Sequence, residues 1–175
     1  MNGRMAIGQF PQALEEMLKR TGDTREKAAK AAHVDGSTVG KIIKGTRNPS
    51  KEVMLAAAEH YDDGQLFLAA AAEVTGGAFI PWLDGADLHK SSTMLKTLEE
   101  IGEAEEALNE IPITKRPDQL NQKERQLIRS SIIEQIEAVT ALMHNIVILC
   151  REYGFSFSGM FREHTAEMKL KKYMK

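Results

Sequence analysis

Residues 24–50 constrain the fold more than any other stretch of this chain. Thr24 can cap a helix whose small apolar face is Ala28, Ala29 and Ala32. Lys27 stands where a capping box would carry an acid. His33 and Val34 interrupt that face. Asp35 can cap a second helix, with Val39 and Ile42 three apart on its buried side. Gly45 follows the last periodic residue, as a glycine past a helix end does. Asn48 and Pro49 stop the chain, and Ser50 starts another helix. The pattern predicts two short helices joined by a tight turn.

Two helices joined in this way form a helix-turn-helix unit, whose second helix can lie in the major groove of DNA. The stretch resembles the Cro/lambda-repressor-like, or Xre-type, DNA-binding family. It matches the family pattern, in register and without a gap, at Thr24, Ala29, Val34, Ser37, Thr38, Ile42, Gly45, Arg47, Pro49 and Ser50. Val39 is a near match. The chain departs from the pattern at Arg25 (usually Gln), at Ala28, Ala32 and Lys51 (usually Leu), and at His33 (usually Gly). Gly36 and Gly40 replace side chains that in many relatives face DNA, and Ile43 takes a position usually charged.

The resemblance implies a five-helix domain over residues 8–74 and binding to double-stranded DNA. By position it implies contacts from Arg25, Gly36, Ser37, Thr38, Lys41, Lys44 and Arg47. Arg25 and the Lys44–Arg47 end would hold phosphates, while Ser37, Thr38 and Lys41 would face bases or phosphates. Each Ala in place of Leu gives up about 1.5–3 kcal/mol of burial. Phe67 and Leu68 are the expected fillers of that space.

Charge agrees with this placement. The whole chain is formally −2, which does not describe a general nucleic-acid binder. Residues 24–51, however, hold seven bases against two acids, and residues 99–110 hold six acids and no base. Such a distribution can turn one face to DNA and another away from it.

The remainder reads as helical. Residues 10–21 carry Leu14, Met17 and Leu18 at helical spacing, and 50–61 and 65–74 follow as further helices. Gly76, Gly77, Pro81 and Gly85 mark residues 75–87 as a linker. Its Phe79, Ile80, Trp82 and Leu83 are apolar enough to pack on one of the two domains. Residues 88–110 predict a helix with Leu95, Leu98, Ile101 and Leu108 inward and the acids outward. Residues 121–153 predict one long helix opened by an Asn121–Glu124 capping box and ended by Gly154. Ser156 or Ser158 can cap a last helix that finishes in a basic cluster. The expected fold is all-α: the five-helix helix-turn-helix domain, then a three-helix domain over 88–175 for dimerisation or partner binding.

On the long helix Ile132, Ile136, Val139, Met143 and Ile146 form a heptad seam. They are the expected contact of a homodimer. The competing reading makes them the internal core of a three-helix bundle.

Other chemistries find little footing. No internal repeat is visible. The acids of 99–110 lack the Glu-x-x-His pairs of a di-iron bundle and read as a solvated face. The five histidines are scattered, Cys150 lies on an apolar stripe, and no nucleophile elbow or phosphate loop accompanies them. No enzyme activity, cofactor or metal is expected. No apolar run reaches membrane length, the start Met1–Met5 lacks a secretion signal's apolar region, and one cysteine fits a cytoplasmic location without membrane contact. The function expected from the resemblance is transcriptional regulation in a bacterium or phage. The alternative is a protein-interaction factor, an antitoxin or phage accessory protein, with secondary or no DNA binding.

Overall fold

The structure, a computed structural model, describes residues 9–175. The expected domain start at residue 8, and the reading of Met1–Met5, lie outside the described residues. Among the described residues eight α-helices follow in order: α1 Phe10–Thr21, α2 Arg25–Ala31, α3 Gly36–Ile43, α4 Lys51–Tyr61, α5 Gly64–Val74, α6 Lys90–Glu110, α7 Gln122–Tyr153 and α8 Phe157–Leu170. A single 3-10 turn, Pro117–Gln119, precedes α7, and no strand occurs among the described residues. The fold is all-α, as the sequence predicts.

The chain divides into two compact units. The first runs to Asp84 and resumes at Cys150–Lys175; the second is Gly85–Leu149. This differs from a boundary that would leave all of 88–175 together.

In the first unit α1–α5 enclose one apolar cluster. Its large members are Phe10, Leu14, Met17, Ile42, Met54 and Leu66. Between them lie Ala28, Ala29, Ala32, Ala57, Ala58 and Ala69, whose small side chains let the helices approach closely. The space left by Ala28 and Ala32 lies in a cluster whose α5 members are Leu66 and Ala69, while Phe67 packs at its edge. Leu68 is buried but outside that cluster. The α5 helix presents Leu66 inward because Asp63 caps it, accepting from Leu66 N at 3.1 Å. Ile80 and Trp82 are buried, and Gln12 Nε2 donates to Asp84 at 3.0 Å, so the end of the 75–84 segment is fastened to α1.

The last helix belongs to this unit. Ser156 caps it, accepting from Gly159 N at 2.9 Å. Phe157 is buried and stacks on Phe67, ring centroids 5.6 Å apart. Asp62, in the left-handed turn after α4, accepts from Ser158 N at 2.9 Å. Burial alone would raise the Asp62 carboxyl. The hydrogen bonds from Ser156 and Ser158 and the Arg162 charge outweigh it and leave the group below the ordinary range. Asp63 pairs with Arg20 and lies 3.6 Å from Arg151 Nη2. The aromatic and carboxylate partners on α4 and α5 are the reason 157–170 packs here.

The second unit is built on α6 and α7. Asn121 and Glu124 form the expected reciprocal cap, Glu124 N to Asn121 Oδ1 at 2.9 Å and Asn121 N to Glu124 Oε2 at 3.0 Å. Thr93 Oγ1 donates to Asn145 Oδ1 at 3.4 Å and Thr97 Oγ1 to the Ala141 carbonyl at 3.1 Å. Rising numbers on α6 meet falling numbers on α7, so the two helices run antiparallel. The buried face of α6 is Thr93, Thr97, Glu100 and Ala104. This corrects the predicted orientation. Leu95 and Leu98 are each 62% exposed, and Ile101 and Leu108 also point outward. Ser131, Ala138, Thr140 and His144 are the buried polar or small groups of α7, while Ile132, Ile136 and Val139 are about half exposed. Thr93 and Thr97 thus meet α7, while Val147 and Ile148 are the buried aliphatic groups near its end and Leu95, Leu98, Ile132, Ile136 and Val139 are left outside. Met143 and Ile146 are intermediate. Helix α7 is also long and apolar enough, by length and composition, to cross a membrane, a length the sequence reading did not find.

Candidate nucleic-acid interface

Thr24 Oγ1 accepts from Lys27 N at 3.3 Å and starts α2 as expected. Asp35 stands at the start of α3 with extended backbone, but its side chain makes no cap bond. The turn between them is closed by main-chain bonds instead. Val34 N reaches the Ala29 carbonyl at 2.9 Å and His33 N the Lys30 carbonyl at 3.2 Å. That is a Schellman ending, with His33 in the left-handed position at φ 55°. The end of α3 repeats it with Gly45 at φ 69°: Thr46 N bonds the Lys41 carbonyl and Gly45 N the Ile42 carbonyl, both at 2.9 Å. The two helices are thus delimited by local chemistry, and α3 packs on α1 and α2 through Val39 and Ile42.

Burying Thr38, Val39 and Ile42 leaves the opposite face of α3 open. Ser37, Lys41 and Lys44 are exposed on it. Arg25 is exposed at the start of α2, and a methyl built at Gly40 would lie 3.7 Å from Arg25 Nη1. The guanidinium therefore lies along the glycine side of α3. Gly36 faces Glu26 in the same way, its Cβ position 3.6 Å from Glu26 Cγ. Arg25, Ser37, Lys41 and Lys44 make one basic, solvated surface around Gly36 and Gly40.

Thr38 departs from its expected place on that surface. It is 5% exposed, and its Oγ1 accepts from Arg47 Nη1 at 3.1 Å. One helical turn separates it from Ile42, so it shares the packed side. Its hydroxyl orients Arg47, which is itself exposed and leaves other guanidinium donors for a phosphate. Thr38 thus stands behind the surface and Arg47 on it.

The expected dimer residues lie elsewhere, on α7. Ile132, Ile136 and Val139 form an outward row, with Met143 and Ile146 half buried further along. Met94, Leu98, Ile101 and Leu108 are exposed as a second apolar row on α6, where the sequence places Leu98, Ile101 and Leu108 inward. Their spacing of four, three and seven marks the row in the sequence. Cys150 is buried, and burial, with the Asp62 charge, pushes its thiol up, away from reactivity.

Residues 14–62 match the model of the helix-turn-helix family. No curated protein matches the chain, and no solved structure does. The match spans α2, α3, α4 and most of α1, and so includes the α2–α3 pair that carries the basic surface.

Proposed function

We propose that this helix-turn-helix chain is a sequence-specific transcriptional regulator of bacterial or phage origin, acting in the cytoplasm on double-stranded DNA. Helix α3 enters the major groove. Lys41 and Ser37 face base edges, with Lys donating to guanine O6 or N7. Arg25, Lys44 and Arg47 hold phosphates and set the register. Gly36 and Gly40 let backbone approach the groove. One observation carries the reading: α3 buries Thr38, Val39 and Ile42 and leaves Ser37, Lys41 and Lys44 uncovered. The test is an electrophoretic shift with fragments from upstream of the chain's own gene. A retarded complex that survives about a hundredfold excess of random DNA is expected, since specific sites commonly win by 10³ or more. Loss of every complex under that competitor would refute specific binding.

The regulator acts as a homodimer joined by the outer faces of α6 and α7. Exposed aliphatic groups at Leu98 and Ile101 on α6 and at Ile132, Ile136 and Val139 on one face of α7 support this, because a large exposed apolar patch marks an interface. A second copy suits the surface better than lipid does. Glu99, Glu103, Glu105, Glu106 and Glu110 are exposed along α6, and each charge carried to a bilayer centre costs roughly 3 kcal/mol. A second copy can instead set those acids against Arg125 and Arg129, which flank Ile128 and Ile132 in a groove of about 320 Å³. The same bare face favours a second reading, a protein-interaction factor with weak DNA binding. The shift assay separates the two.

A further inference from the structure

Glu100 is an acid on the packed side of α6, and only 8% of it is exposed. Lys96 Nζ lies 2.8 Å from its Oε1, but its Oε2 is buried without a hydrogen-bond partner. Leaving such an oxygen unsatisfied costs about 1–3 kcal/mol, and more when it is charged. From α7, Glu134 and Glu137 bring carboxylate oxygens within 4.8 Å of Glu100 and of each other. Their spacing of three puts both on one face of that helix. Burial, then the charges of Glu137, Glu103 and Glu100, holds the Glu134 carboxyl above its ordinary range. The positive charge within the group is Lys96, which Glu99 also draws on at 3.2 Å. The antiparallel packing that buries Thr93 and Thr97 therefore drives three acids together, and one of them, Glu100, keeps a buried oxygen with no donor.

We propose that Glu100, Glu134 and Glu137 are the ligands of a hard divalent cation of the Mg²⁺, Mn²⁺ or Ca²⁺ class, which ties α6 to α7. The donors are all carboxylate oxygens, the set such ions prefer, with neither nitrogen nor sulfur to favour zinc or copper. Oxygens held about 2.0–2.6 Å from one ion lie at most about 4–5 Å apart, so the observed spacing admits it without moving a helix. Glu137 is exposed and Glu134 half buried, which gives the ion an entry and water to complete its shell. The ion supplies the partner that Glu100 Oε2 lacks and cancels the repulsion felt by Glu134. Glu134-x-x-Glu137 facing an acid on another helix lacks the Glu-x-x-His pattern by which such a bundle is recognised in a sequence.

The test uses the full chain and Mn²⁺ alone, read by loss of the free-ion electron paramagnetic resonance signal near neutral pH. One Mn²⁺ per chain is expected, displaced by Mg²⁺ or Ca²⁺, with a rise in the melting temperature. Glu134→Gln and Glu137→Gln each lose a charged ligand and should weaken binding about tenfold or more. Glu110→Gln, at the far end of α6, should leave it unchanged. The glutamine variants relieve repulsion, so circular dichroism is expected to show full helicity. Absence of bound Mn²⁺ up to about 1 mM, the weak end of natural sites, would overturn the proposal. So would an equal loss in Glu110→Gln, which would mean diffuse attraction to an acidic surface. If the metal-free chain instead gains stability on mild acidification and binds no Mn²⁺, a shared proton fills the site and the cation is excluded.

Discussion

His33 shows how a single position departs from its surroundings. It closes α2 in the left-handed region at φ 55°, exposed, where the related pattern carries glycine. A side chain there costs about 1–2 kcal/mol, part of which glycine returns through a freer unfolded chain. His33→Gly is therefore expected to stabilise the first unit by about 1 kcal/mol in urea unfolding, with DNA affinity unchanged. Gly40 invites the opposite change. Its φ is helical, and a methyl would meet Arg25 Nη1 at an ordinary 3.7 Å. Gly40→Ala should gain roughly 0.5–1 kcal/mol of helix stability. A loss in thermal melts would show that the space is not free. On the DNA side, Lys41→Ala should weaken binding to the preferred site more than to random DNA, whereas Lys44→Ala should weaken both alike. Equal losses for Lys41→Ala in titrations against both would remove it as a base reader.

Among the elements, α8 has the most exposed dependence on conditions. The Asp62 carboxylate accepts the Ser158 amide, and its protonation lies below the usual 3.8. A carboxyl lowered in the folded state stabilises it fully above the unfolded value and ceases to do so as pH falls through the folded one. Protection of the Ser158 amide from hydrogen exchange should thus hold above about pH 4 and decline below it. Asp62→Asn should cut that protection severalfold, for about 1 kcal/mol, and flatten its pH dependence. Unchanged protection in the variant would mean that Phe157 alone holds the helix. The caps at Thr24, Ser50, Asn121 and Ser156 were legible in the sequence because a cap is decided within four residues. The orientation of α6 was not. Periodicity locates an apolar stripe but cannot say whether that stripe meets the same chain. The burial of Thr38 was not legible either, because its place on the DNA side came from the family resemblance, and a matched position does not say which side of α3 this chain packs. The basic surface itself was legible, since Lys41 and Lys44 follow from the spacing of Val39 and Ile42.

At the scale of the whole chain, light scattering decides assembly. The wild type is expected at twice 19.5 kDa. Ile136→Glu combined with Val139→Glu should give a monomer with helicity intact, because both side chains are about half exposed within one chain. A wild-type monomer at tens of micromolar would rule the dimer out. Docking α8 from beyond the hairpin has a topological outcome of its own. The first unit is discontinuous: the chain leaves it after Asp84 and rejoins it at Cys150. The two ends of that gap are neighbours, with the Arg151 guanidinium 6.0 Å from the Trp82 ring centre. The hairpin is in effect a cargo spliced into a host domain, and a short glycine bridge from 84 to 150 could replace it. Closing a loop of about six residues in place of all of 85–149 is some three halvings shorter, worth about 2 kcal/mol to the host. The excised chain would keep α1–α5 and α8 in one smaller, tougher unit, and under the proposed function it would bind DNA as a monomer.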